Sequence, residues 1–494
     1  MSLDSRTPVL VGVGVADRRC DDPSEALEPS ELMIVALEAA EADAGMRGLL
    51  AAADSIRVPR GFWSYSDPGR LIADRFGASG ARTVLAEIGV LQQTLLNGAC
   101  CAIASGEEEI AIVTGGDAKY RSLRAAIAGT PQSDTPQTDV KPDEVLQPSA
   151  SLWSTVESDH GLLMPAQYFT LIESAMRFDE GLSIEAHRDR IARLWAGMSE
   201  VAAGNPHARH REPVAAEAIR NPSERNPMIA FPYTKMHNSD WNVDQAAALI
   251  FCSVAKARAL GIPEARWVYP LSGTEANQMT NVSERARMHR CPGIEIAGGR
   301  ALELAGRTID HVEHLDLYSC FPAAVQLFAR ELGIGLDRRL TVTGGMRFAG
   351  GPLNNYVVQS VARMAEVLRD DPGSTGLVTA VSGFMTKQGF GLWSTDAPAR
   401  SFQFADVTDE VARATEMRKL VVAPEGPARI AAYTVLYLGP NPAKAVAVCD
   451  LPNGDRTVAS SDDHELARAM TVEEFIGREV AIGPDSEMSL GART

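Results

Sequence analysis

Residues 344–352 read Gly-Gly-Met-Arg-Phe-Ala-Gly-Gly-Pro: the pair Gly344-Gly345, four residues, then Gly350-Gly351-Pro352. Glycines this dense leave backbone N–H groups uncovered by side chains. The stretch Asn354 to Arg369 follows, with Val357, Val358, Val361, Met364 and Leu368 at helical spacing. That spacing predicts a buried helix. Leu377 to Val381 then reads as a buried strand, and Gly383 closes it. Helix, buried strand and glycine occur in the same order upstream. The first copy ends IVTGG at 112–116 and the second TAVSG at 379–383. This weak echo is consistent with an internal duplication, two similar α/β halves in one chain.

Outward from the centre, the pattern stays α/β. Pro8 to Gly14 (PVLVGVG) predicts a buried strand, Glu31 to Ala42 a helix, Asp54 to Val58 a strand and Glu109 to Thr114 another. Alternating elements of this kind argue for a layered α/β domain. From Gly129 to Pro148 the composition turns to Thr, Pro, Gln, Asp and Ser, which predicts a mobile loop. Ser183 to Val201 predicts a helix through Ile184, Ile191, Leu194, Trp195 and Met198, and Asn238 to Ser253 a return to the sheet. At the far end, Arg429 to Leu438, Ala443 to Leu451 and Arg456 to Ser461 read as strands, with Asn453-Gly454 as a hairpin turn. They predict an appended β-barrel. The expected boundaries are 1–125 for a first half, 126–236 for a loop domain, 237–266 for the return, 267–410 for a second half and 411–494 for the barrel.

Composition excludes several classes of function. The net charge is −17, with no long Lys/Arg run, so a nucleic-acid or anionic-membrane surface is not expected. No apolar stretch reaches spanning length, and the N-terminus has no apolar signal core. The seven cysteines form no CxxC pair and no zinc-ligand spacing. A disulfide framework and a metal site are not expected, and a reducing cytoplasm fits best.

In this order, the motifs resemble those of thiolases, in the thiolase-like branch near sterol-carrier-protein thiolases. The family carries GG, then GHP four residues on, then CxG on a strand. The matching residues are Gly344-Gly345, Gly350-Gly351-Pro352 and Val381-Ser382-Gly383. The family's Asn-Glu-Ala-Phe or His-Asp-Cys-Phe box corresponds to Tyr318-Ser319-Cys320-Phe321. Tyr233 to Asn238, leading into Val243 to Ala248, resembles the segment near bound coenzyme A. The resemblance covers nearly the whole chain. It implies a thiolase fold: two stacked βαβαβαββ halves in an αβαβα sandwich, here with a C-terminal OB-like β-barrel. It also implies acyltransferase ancestry and a place in lipid and fatty-acid metabolism, with CoA or acyl-CoA as ligand. A monomer or homodimer is expected.

The departures bear on chemistry. Counting back one helix from Gly106 places the family's nucleophilic cysteine at Gly89. The GHP histidine has become Gly351, and the cysteine of CxG has become Val381. An acyl-cysteine at 89 is therefore excluded, because the thiolate is the nucleophile. Cys100, Cys101 and Cys320 read as buried small side chains rather than substitutes. The pocket expected to hold a thioester comprises Gly89, Gly344, Gly345, Gly351 and Gly383, whose backbone N–H groups are the candidate oxyanion donors. The helix beginning near Asn354 would point its positive end there. Tyr318 resembles a tyrosine that side-chain aldolases of this fold use as acid or base, with packing the competing reading. Tyr356 is a second acid–base candidate, and for it core packing is the competing reading. Lys235, Asn238, Arg209 and Arg211 are the candidate ligand contacts. The arginines lie in a His207–Arg211 cluster, and clusters of this kind are more commonly solvated polar turns. Lys387 is a pocket cation or a surface residue. Three functions remain open at this point: cysteine-independent carbon–carbon chemistry on a CoA thioester, a non-catalytic CoA, acyl-CoA or lipid carrier, and a scaffold subunit.

Overall fold

A computed structural model describes residues 3–490. Its first sheet runs in the order Pro8–Asp17, Asp244–Ser253, Ile110–Ala118, Ser55–Pro59, Arg82–Ala86 and Glu144–Leu146. The apolar runs at 8–17 and 244–253 pair antiparallel from Pro8↔Ser253 to Asp17↔Gln245, and both are almost wholly buried. Burial on both faces is why these strands read as continuous apolar runs rather than alternating ones. The second sheet runs His314–Asp316, Thr375–Ser382, Lys387–Ser394, Tyr269–Ala276 and Gln403–Asp406.

Two helices lie between the sheets. Gln92–Ser105 and Tyr356–Asp370 each pack on strands of both. Outside the first sheet lies Pro29–Ala44. Its approach is so close that a β-carbon on Gly12 would stand 2.2 Å from the Ala40 carbonyl oxygen. Outside the second lies Pro292–Ala305, fixed when Thr274 Oγ1 and Ser272 Oγ donate to the Ala297 and Ala301 carbonyls at 2.8 and 2.7 Å. Helix, sheet, helices, sheet and helix make the expected five-layered sandwich.

The stretch after Gly129 is a correction. It is not a free loop. Glu144–Leu146 pairs in parallel with Arg82–Ala86 and forms the edge of the sheet. Gln137 bonds the Asp67 backbone on both sides, its Oε1 accepting at 2.8 Å and its Nε2 donating at 2.7 Å. Asp143 Oδ2 accepts from Thr83 N at 2.8 Å. The polar side chains that suggested mobility are the tethers.

The intervening helices Pro165–Asp179 and Ile184–Gly204 meet around the buried carboxylate of Glu173. It faces His187 Nε2 and accepts from Gln326 Nε2, both at 2.6 Å, and also accepts from the Tyr233 hydroxyl. The C-terminal strands Gly426–Leu438, Asn441–Asp450, Arg456–Ser461, Glu479–Ile482 and Met488–Leu490 form one antiparallel sheet. Met228–Ala230 adds to it at Leu436. The sheet's far edges meet at one isolated bridge, Ser460↔Glu487, rather than along a continuous ladder, so a closed barrel rests on that bridge alone. Arg456 docks this sheet on the body: it donates to the carbonyls of Ser283 at 3.4 Å and Ala286 at 3.3 Å, and to that of Arg285.

Candidate active site

Gly89 sits just before the helix Gln92–Ser105 with φ 104, and Gly383 follows the strand Thr375–Ser382 with φ 64. The fold brings the two together across the halves. Ser382 Oγ and Lys387 Nζ both donate to the Gly89 carbonyl, at 3.0 and 2.8 Å. Lys387 is only 2% exposed, so it is a buried residue rather than a surface one. Burial lowers its ammonium pKa, against the attraction of Glu275.

The space over these glycines is filled. A β-carbon on Gly89 would stand 3.0 Å from Pro148 Cβ and 3.6 Å from Leu152 Cδ2, and one on Gly383 3.7 Å from the same Leu152 methyl. Beside it, Tyr168 and Phe384 stack at 3.9 Å, with Trp153 edge-on to Phe384 at 5.1 Å.

The other three glycines make different contacts. At Gly344 a β-carbon would strike Ala202 Cβ at 2.4 Å, and at Gly345 it would meet Met198 Sδ at 2.8 Å and Ser319 Oγ at 3.1 Å. These glycines admit the helix Ile184–Gly204. At Gly351 a β-carbon would face Ser239 Cβ at 3.2 Å, so a small hydroxyl residue borders the position of the missing histidine.

The two tyrosines have different surroundings, although their rings meet edge-on at 5.8 Å. Tyr356 is 1% exposed and its hydroxyl is spent: it donates to Asp316 Oδ1 at 3.0 Å and pairs with Thr343 Oγ1 at 2.7 Å. Asp316 is buried too, and burial raises its pKa against bonds from Thr343, Tyr356 and Val342. Tyr356 is thus part of a structural network. Tyr318 is anchored through its backbone N–H, donating to Thr379 Oγ1 at 2.8 Å. No group among the described residues bonds its hydroxyl. Burial raises its phenol pKa, with a smaller push from Cys320, so the hydroxyl stays protonated at neutral pH. At the N-terminal end of the helix beginning at 356, Val357 N donates to Gln92 Oε1 at 2.7 Å.

The cationic cluster is largely neutralised. Arg209 lies 3.9 Å from Asp17 Oδ1, His207 2.7 Å from Glu366 and His210 2.6 Å from Asp240. Arg211 and Lys235 are exposed, and Asn238 Nδ2 donates to the Thr234 carbonyl at 2.7 Å. Only Arg211 and Lys235 of this set present an uncommitted charge. Burial pushes the thiols of Cys100, Cys101 and Cys320 up, so none is a ready thiolate.

Residues 406–487 match the family described as thiolase-like protein type 1 additional C-terminal domain. The solved structure of a monomeric SCP2-thiolase-like protein type 1 from Mycobacterium smegmatis superposes with a TM-score of 0.84 at 28% identity, covering 99% of this chain and 100% of that one. Over its whole length the chain is similar to a thiolase-like protein, and at 406–487 it matches the additional C-terminal domain of that type. The fold extends to more distant structures. An Ltp2–ChsH2(DUF35) aldolase matches at TM-score 0.60 and 18% identity, covering 80% of this chain and 99% of that one. The human mitochondrial 3-ketoacyl-CoA thiolase matches at 0.57 and 16%, covering 79% and 99%. No curated protein sequence matches the chain.

In this thiolase-like chain the sequence reading missed Pro148, Leu152 and Trp153. They lie in or just past the stretch read as a polar loop. The only local signal was the apolar pair Leu152-Trp153 in an otherwise polar stretch, and nothing in the sequence says what that pair covers.

Proposed function

We propose that the chain binds coenzyme A thioesters at the junction of its halves and makes or breaks a carbon–carbon bond there without an acyl-cysteine. The observation that carries this reading is the meeting of Gly89 and Gly383 with Lys387 and Ser382 around one point. The Lys387 ammonium and the Ser382 hydroxyl, which converge on the Gly89 carbonyl, are donors that suit a developing thioester enolate. Tyr318, held protonated by burial, suits a general acid rather than a base. In a retro-aldol cleavage of a β-hydroxyacyl thioester, the Cα–Cβ bond breaks and its electron pair passes into the enolate. The β-hydroxyl gives its proton to solvent water and becomes a carbonyl, the Tyr318 phenol protonates Cα, and water restores the proton to the phenolate. The fold match to an aldolase supports trying this chemistry first.

The test is turnover of β-hydroxyacyl-CoA before and after iodoacetamide. The proposal expects cleavage that survives alkylation. Rapid inactivation with label on Cys320 would reinstate a cysteine mechanism, and binding without turnover of any thioester would favour the carrier.

We read the chain as a monomer with no membrane-spanning part. The similar solved structure at 28% identity is described as monomeric, which supports the monomer reading. Among the described residues no helix is long and apolar enough to cross a membrane.

A further inference from the structure

Between the strand Glu144–Leu146 and the helix Thr155–Asp159 the chain crosses the junction of the halves in eight residues, 147–154. Both ends are fixed. The strand is paired to Arg82–Ala86, and Glu157 Oε1 accepts from Ser283 N at 2.8 Å and from Ser283 Oγ at 2.7 Å. The middle is held by less: Leu152 is partly buried, and Trp153 stays 43% exposed while lying on Phe384 and Tyr168. Its side chains nevertheless occupy the one place where Gly89, Gly383 and the Lys387–Gly89 contact converge.

We propose that residues 147–154 are a built-in plug, with Leu152 the stopper and Lys387 the group it shields, so that the pocket takes a ligand only when this segment swings out. The inference rests on the proposed thioester pocket. A short segment anchored at both ends and weakly held in its middle is suited to local opening without unfolding. Leu152 is apolar, so an acyl chain replaces its contacts in kind.

The test reads Lys387 directly and needs no natural ligand. Wild type and Leu152→Ala are dimethylated with formaldehyde and borohydride, and each lysine is quantified by peptide mass spectrometry. Exposed Lys141 and Lys235 serve as internal references. Lys387 is expected to label slowly in wild type and about tenfold or more faster in the variant, because protection falls as the open population rises. Labelling of wild-type Lys387 as fast as Lys235 would overturn the plug, and this arm does not depend on the variant folding. Slow labelling in both proteins would overturn Leu152 as the stopper. A melting scan with acetyl-CoA separates the two ideas. If Leu152→Ala exposes Lys387 while neither protein responds to acetyl-CoA, the plug stands and the thioester reading falls.

Discussion

Leu152 Cδ2 stands 3.6 Å from the point a β-carbon would occupy on Gly89. Pro148 is closer still, and Gly89 has φ 104. A cysteine there is strained by the backbone conformation, and Pro148 would have to give by a few tenths of an ångström. Gly89→Cys should destabilise the fold by about 1–3 kcal/mol, the usual cost of a strained backbone, read as a lower urea midpoint. It should not create thiolytic activity. A variant of unchanged stability that forms an acyl-cysteine would show the position to be free.

The neighbouring tyrosines should separate in mutagenesis. Tyr318→Phe removes a hydroxyl that no described group bonds, and should lower turnover about a hundredfold with ligand affinity nearly constant. Tyr356→Phe takes away a bond to buried Asp316. It should cost about 1–3 kcal/mol of stability and leave turnover per folded molecule unchanged. The reverse assignment would move the acid role to Tyr356.

Asp117 predicts a pH dependence. It is 1% exposed; its Oδ1 accepts from Phe62 N at 2.7 Å, while Oδ2 has no partner among the described residues. Burial pushes its pKa up to about 7 from 3.8. The folded state thus holds this proton more tightly than the unfolded chain. Its contribution to stability is full below the unfolded pKa, declines as pH rises toward about 7, and is flat above. At about 1.4 kcal/mol per unit, the loss is at most about 4 kcal/mol. Asp117→Asn should raise the melting temperature at pH 8 more than at pH 5. An equal effect at both pH values would show that Asp117 is ionised in the folded protein throughout. Asp244, also raised by burial, to about 6, is common to both proteins and drops out of that difference.

Arg456 is 1% exposed, and it ties the C-terminal sheet to three carbonyls of the body and to Asp450 at 2.8 Å. Arg456→Met should cost about 3 kcal/mol by stripping partners from buried groups. It should also speed limited proteolysis in the largely exposed stretch 415–427. Unchanged proteolysis would mean that the shared apolar packing at Ile184, Met228 and Phe231 holds the sheet unaided.

The layered fold was legible because its signals are local. Apolar runs such as 8–14 and 109–114 become buried strands, and the 3.6-residue spacing after Asn354 becomes a central helix. What could not be read depends on partners far away in sequence. The basic cluster of His207, Arg209 and His210 could not be assigned from sequence because Asp17, Glu366 and Asp240, which fold against it, lie far away in the chain. Glu144–Leu146 pairs through its backbone, which leaves no side-chain pattern to find. Leu152 carries meaning only because it touches residues 63 and 231 positions away.

The most direct measurement is the melting temperature with and without millimolar CoA and acetyl-CoA. A ligand that binds only the native state at a hundredfold excess over its Kd adds about 2.7 kcal/mol, enough for a rise of at least ~1 °C in a chain of this size. The account predicts such a rise, larger for Leu152→Ala than for wild type. A flat melting temperature in both proteins would contradict thioester binding and with it the proposed function.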